Sequence, residues 1–145
     1  MLARHDGRIV LVSGAIPGER VRARIARTVR HTVFADVVDV LEASPWRRAP
    51  FCDPRCGGSV YAHIVPEHQR ALKGAIVADA FRRLGGVTIG PPSMAGASEE
   101  GYRLRARLHV RGGRAGFFLE DTHTLCDAAA TRQLTPDATS AVTTL

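Results

Sequence analysis

An α+β fold is predicted for this 145-residue chain: a small antiparallel β-barrel, then one helix, then a further antiparallel β segment. Three observations carry the prediction. The first 44 residues alternate short apolar runs with Gly/Pro turns and show no helical period. Pro66 to Leu84 holds the one strong helical stripe, opened by a proline and stopped by Gly85-Gly86. Tyr102 to Glu120 returns to alternation, interrupted by the hairpin turn Arg111-Gly-Gly-Arg114.

The elements follow in order. Residues 7–12, Gly-Arg-Ile-Val-Leu-Val, read as a short buried strand. Ser13 to Gly18 is a turn, because Pro17 presets φ and Gly18 accepts φ > 0. Glu19 to Ile25 alternates, with Val21, Ala23 and Ile25 on one face and Arg20, Arg22 and Arg24 on the other. Arg27 and Arg30 extend the charge, and residues 33–41 make another strand. Several short strands joined by turns predict a small barrel. Ser44 to Pro50 is a linker, followed by Phe51-Cys-Asp-Pro-Arg-Cys-Gly-Gly-Ser59. In the helix, Leu72, Ile76, Ala80, Phe81 and Leu84 form the apolar stripe. Residues 90–98 are a loop. Tyr102 to Val110 is expected as a strand with Leu104, Ala106 and Leu108 inward and Arg103, Arg105 and Arg107 outward. A strand over 115–120, an apolar piece over 124–129 and a helical segment from Pro136 complete the chain.

Apolar residues make up 45% of the chain, enough for a packed core. No apolar run nears the roughly 18 residues of a membrane helix, and Met1 to Asp6 lacks the apolar region of a signal peptide. A cytoplasmic location and no membrane partner are expected. Net charge is +6, and Lys73 is the only lysine. A surface so rich in guanidinium favours phosphate, with RNA or DNA first among partners.

Arginines at period two stand roughly 7 Å apart on a strand face, close to the spacing of successive phosphates. The competing reading is a solvated face paired across strands with Asp36 and Asp39. Cys52 and Cys56 supply half of a four-ligand metal site, and Cys126 is the only other thiol. Three cysteines do not form a disulfide framework, and the spacing of the histidines matches no zinc pattern. No phosphate-cradling Gly-rich loop and no Ser/His/Asp order stands out. The residues alone describe a binding module and not a complete enzyme.

The run Gly7-Arg-Ile-Val-Leu-Val-Ser-Gly-Ala-Ile-Pro-Gly-Glu-Arg-Val-Arg22 resembles the core of a TRAM domain, a small OB-like barrel that binds RNA. Ser44-Pro-x-Arg47, Cys56-Gly-Gly, Gln69-x3-Lys73, Tyr102-Arg-Leu-Arg105 and Gly116-Phe117 follow in order. The whole order is similar to the N-terminal half of the bacterial S-adenosylmethionine-dependent RNA uracil-C5 methyltransferases, which act on 23S rRNA or tRNA. The resemblance implies a TRAM barrel over 1–44, a linker with the Cys-Gly-Gly stretch over 45–65, and part of a central domain over 66–145. With the arginine spacing and charge described above, RNA contacts are expected from Arg20, Arg22, Arg24, Arg27, Arg30, Arg47, Arg103 and Arg105.

Three departures qualify it. The chain reaches Leu145 without a counterpart of the methyl-donor domain, so no catalytic residue is assigned and S-adenosylmethionine is expected only with that domain. A fragment or incomplete gene product, with the methyltransferase domain downstream or on a separate chain, would account for this. The first barrel strand is expected to be missing, since only Met1 to His5 precede Asp6-Gly7. Of the four iron–sulfur ligand positions that the resemblance implies, Cys52 and Cys56 are thiols, and Ser59 and Thr131 stand at the other two. A [4Fe–4S] cluster is therefore not expected. A stand-alone TRAM-type RNA-binding protein and a small metal or redox module are the alternatives.

Overall fold

A computed structural model of the protein describes residues 1–96 and 98–143. Ala97, in the expected 90–98 loop, and the last two residues of the final segment lie outside the described residues. The α+β class holds. Four strands, β1 (Leu2–His5), β2 (Arg8–Ser13), β3 (Arg20–Val29) and β4 (Thr32–Glu42), form one sheet. Its order is β1-β2-β4-β3.

This sheet differs from the expected barrel in three details. Residues 2–5 supply a first strand that was expected to be missing. It pairs antiparallel with β2, from Leu2↔Leu11 to His5↔Arg8. Asp6 and Gly7 both take positive φ, 46° and 73°, which is the twist a two-residue hairpin needs. Next, β2 and β4 run parallel, while β3 and β4 are antiparallel. The chain leaves β2 through the Gly14–Gly18 turn, builds β3 on the outside, and returns β4 into the gap. Lastly, β1 and β3 are unpaired at their outer edges, so the described strands do not close a barrel.

The core of this sheet is small: Val12, Ala15, Ile16, Val33 and Ala35 are buried. The apolar face expected on β3 is open, with Ile25 65% exposed. Period-two alternation requires only a strand with two unlike faces. Burial needs a second layer, and none of the described elements lies over β3.

Helix α1 (Pro66–Gly85) starts with Pro at its first position and ends on Gly86 in the left-handed conformation, as its sequence requires. Its expected stripe is largely uncovered: Ile76, Phe81 and Leu84 are exposed, and Gly74 is its one buried residue. A second sheet, β5 (His109–Arg111), β6 (Arg114–Phe118) and β7 (Leu125–Asp127), is antiparallel throughout. The hairpin at Gly112-Gly113 forms as predicted, with both glycines at positive φ. A single 3₁₀ turn (Ala129–Thr131) and a short helix α2 (Pro136–Thr143) follow.

The expected strand over 102–110 does not form. Among the described residues, its only ladder contacts are an isolated bridge, Arg103↔Leu134, and His109 and Val110, which begin β5. Leu104 is 73% exposed, so its inward face has nothing to face.

A second core cluster lies between the cysteine loop and the turn after β7. It consists of Cys56, Ala62, Ile64, Ala128 and Leu134, with Ser59, His63, Thr131 and Gln133 buried among them. Two links tie the sheets together: the Ser13 hydroxyl donates to Glu120 Oε2 at 2.9 Å, and Arg27 pairs with Asp121 at 3.1 Å.

Candidate nucleic-acid interface

The arginines of β3 divide by partner. Arg20 pairs with Glu42 at 2.9 Å and Arg22 with Asp39 at 3.6 Å, both across the β3–β4 ladder and both solvent-exposed. Arg27 stacks 4.1 Å above the Phe34 ring while holding Asp121. Arg24 lies opposite Asp36 in register but makes no ion pair with it. Arg30 occupies the hairpin tip at φ 52°, exposed and without a carboxylate partner among the described residues. Such pairs on an open surface contribute little and exchange readily for phosphate. The face thus presents two unpaired guanidiniums, Arg24 and Arg30, beside three that are loosely held.

Arg47 has a different position from the one expected. Its side chain is 21% exposed and points inward onto Glu19, whose side chain is fully buried. Nε donates to Glu19 Oε1 and Nη2 to Oε2, each at 2.6 Å, and Nη2 also donates to the Gly14 carbonyl at 2.7 Å. The backbone N–H groups of Ile16 and Ser44 donate to the same carboxylate. Burial alone would raise the Glu19 pKa. The hydrogen bonds from Arg47, Ser44 and Ile16, with the Arg47 charge, outweigh it and hold the group at about 2. Arg47 is a structural clamp between the Gly14–Glu19 turn and the linker, with its Nε and Nη2 donors occupied.

The second arginine set is dispersed. Arg103 is half-buried, with its guanidinium 5.9 Å from the Phe117 ring. Arg105 and Arg107 are exposed on irregular chain, without the regular spacing a strand would give them.

At the cysteine loop, the Cys56 sulfur is bonded to that of Cys126, with the Cα atoms 6.0 Å apart, and Cys52 is free. A disulfide was not expected. The partners are 70 residues apart in sequence, and β7 brings Cys126 opposite the loop. Ser59 Oγ accepts from Gln133 Nε2 at 2.8 Å, and the Thr131 hydroxyl donates to the Ala128 carbonyl at 2.6 Å. Cys56 and Thr131 have no exposed surface. Of the four ligand positions implied above, one sulfur is committed to a disulfide and two positions carry hydroxyls engaged within the core. This donor set does not fit a four-thiolate cluster. Among the described residues, no group of three or more His, Cys, Asp or Glu converges on a metal position.

The glycines beside Cys56 are there for close approach. Gly57 N–H donates to the Phe118 carbonyl at 3.0 Å, and a Cβ on Gly58 would lie 2.5 Å from the Phe117 ring. The loop is therefore docked flat on β6. No described helix is long and apolar enough to cross a membrane.

Beside the loop lies a cleft of about 270 Å³, open to solvent and bordered by α1. Sequence reasoning missed it. Its residues come from five separated segments, and only the Gln69-x3-Lys73 spacing on one helix face pointed toward it.

Comparisons with known proteins bear on this arrangement. Residues 1–38 match the TRAM domain family. The chain is 40% identical over 116 residues to the 23S rRNA (uracil(1939)-C(5))-methyltransferase RlmD of Alkalilimnicola ehrlichii, covering 76% of this chain and 25% of the relative. It is 38% identical over 129 residues to that of Halomonas elongata, covering 84% and 27% respectively. An RNA methyltransferase of Bdellovibrio bacteriovorus is 32% identical over 134 residues, covering 87% of this chain and 33% of its own length. The chain thus spans about a quarter to a third of the curated relatives it matches.

Proposed function

From a chain that carries a TRAM domain and is homologous to part of the 23S rRNA uracil-C5 methyltransferases, we propose an RNA-binding portion of such an enzyme. The observation that carries the proposal is the β3 face. It sits within the TRAM match, and its Arg20, Arg22 and Arg24 alternate along one strand, with Arg24 free of any carboxylate. A sheet face of this kind tracks a phosphate backbone while leaving the sequence to be read elsewhere. Ribosomal RNA is favoured over tRNA, because two of the relatives described above are named for 23S rRNA. A cytoplasmic location belongs to the same reading.

Methyl transfer itself is assigned to a domain of the kind that makes up the rest of the relatives. S-adenosylmethionine would be bound there. No residue described here is given a catalytic role. The test is direct. The purified 145-residue chain should shift a 23S rRNA fragment in a gel or anisotropy assay, with affinity falling steeply as salt rises. It should incorporate no methyl group from labelled S-adenosylmethionine. Salt-independent or absent RNA binding, or methyl transfer by this chain alone, would overturn the proposal.

A further inference from the structure

We infer that the cleft beside α1 holds one splayed-out nucleotide of a bound single-stranded RNA; this rests on the RNA-binding reading above. The cleft is built from the linker, the cysteine loop, the first two turns of α1, the segment around Tyr102, and Gln133. At about 270 Å³ it falls just below the roughly 300–1,000 Å³ of drug-sized ligand pockets, so it accommodates a single base with its phosphate.

Its chemistry is divided in the way a nucleotide requires. Arg70 and Lys73, three positions apart on α1, present their charges from the same helix face. Lys73 makes no ion pair among the described residues, and Arg70 holds only the exposed Glu67 at 3.3 Å. Arg48 also lines the cleft, but it is paired with Glu99 at 2.6 Å. Three cations therefore face one carboxylate, which selects an anion. Tyr61 and Tyr102 supply aromatic surface, and Tyr102 is 49% exposed. An unstacked base covers such rings, and the bases of a single strand are free to do so.

Gln133 adds an independent observation. It is 4% exposed, its Nε2 donates to Ser59, and its Oε1 has no partner. Whichever way the amide is turned, one polar atom is left over at the cleft wall. A buried amide group in that state is costly unless something completes it. A base edge offers both donors and acceptors to do so. The phosphate would lie against Arg70 and Lys73, the base on the tyrosines, and its polar edge toward Gln133.

The experiment measures binding of a uridine-rich single-stranded RNA 10-mer to the whole chain by fluorescence anisotropy. Tyr102→Ala and Lys73→Gln are used because both side chains are exposed and neither supports the core. Tyr102→Ala should weaken binding about ten-fold. Lys73→Gln should lower the slope of log affinity against log salt by about one. A 5-iodouridine oligomer should crosslink to a peptide containing Tyr61 or Tyr102. Binding that neither variant changes, with crosslinks confined to residues 20–30, would overturn the inference and leave the RNA-binding proposal standing. No binding of the oligomer at low salt would overturn both. Free uridine monophosphate competing as well as the oligomer would make a free nucleotide the ligand, and would also overturn it.

Discussion

Glu19 and Arg47 meet through two parallel N–H···O bonds of 2.6 Å, joining the turn after β2 to the linker 28 residues later. The Glu19 carboxylate accepts four hydrogen bonds in all, two of them from backbone. Removing either partner leaves a buried group uncompensated. Glu19→Gln and Arg47→Met should each destabilise the chain by about 3 kcal/mol in urea unfolding. The two losses should be strongly non-additive in the double variant. Independent losses that simply sum would show that the clamp does not act as a unit.

Acid should unfold the protein in two steps of the same sign. His63 is buried with no hydrogen bond of good geometry at either ring nitrogen. Burial, and then the Arg47 charge, lower its pKa from the ordinary 6.5. The unfolded chain binds that proton more readily, so stability falls as pH drops below 6.5. Glu19 is depressed from 4.5 to about 2, so its contribution is complete above 4.5 and disappears toward 2. Urea midpoints measured from pH 8 to pH 3 should fall in both windows. Glu19→Gln should flatten only the lower one, and His63→Leu only the upper.

On the β3 face, Arg24→Ala should weaken RNA binding for all sequences alike and reduce the salt slope by about one. Arg22 gives up its contact with Asp39 when it takes a phosphate. Arg22→Ala should therefore cost less than Arg24→Ala, and Asp39→Asn should tighten binding. Equal effects of the two arginine variants would show that the ladder pairing is irrelevant to the interface.

The disulfide closes a loop of 70 residues. In the chain-entropy account, a loop of that length stabilises by about 4 kcal/mol at most. Reduction, or Cys126→Ala, should lower the urea midpoint while leaving the four-stranded sheet intact, because both cysteines lie outside its strands. Loss of β1 to β4 amide protection together with the bridge would contradict this division into two cores.

Much of the fold was legible because it is written locally. Pro66 and Gly86 bound α1, and the Gly112-Gly113 pair makes its hairpin. The Asp6-Gly7 hairpin is just as local, yet it was not recognised, and the strand Leu2 to His5 was expected to be missing. What could not be read depends on partners distant in sequence. Arg47 carries the same charge as Arg24, and only the fold shows that Glu19 occupies it. Arg103 to Arg107 alternate as well as Arg20 to Arg24 do, yet they lack a neighbouring strand to complete the ladder. Cys126 falls in the apolar piece read over 124–129, which forms β7, but its opposition to Cys56 depends on how β7 sits against the cysteine loop.

The bare stripe of α1 has a dynamic consequence. The helix is fastened in its first half, by the Gln69 side chain donating to the carbonyls of Tyr61 and Ile64, by His68 stacked on Trp46, and by Gly74 lying against Pro92. Beyond Gly74, helical propensity and the Asp79 pairs with Arg82 and Arg83 are what sustain it. Half a helix is then part of the folded unit and half is a cantilever. Deuterium should enter the amides after residue 77 long before those of the first two turns, so that one element displays two lifetimes.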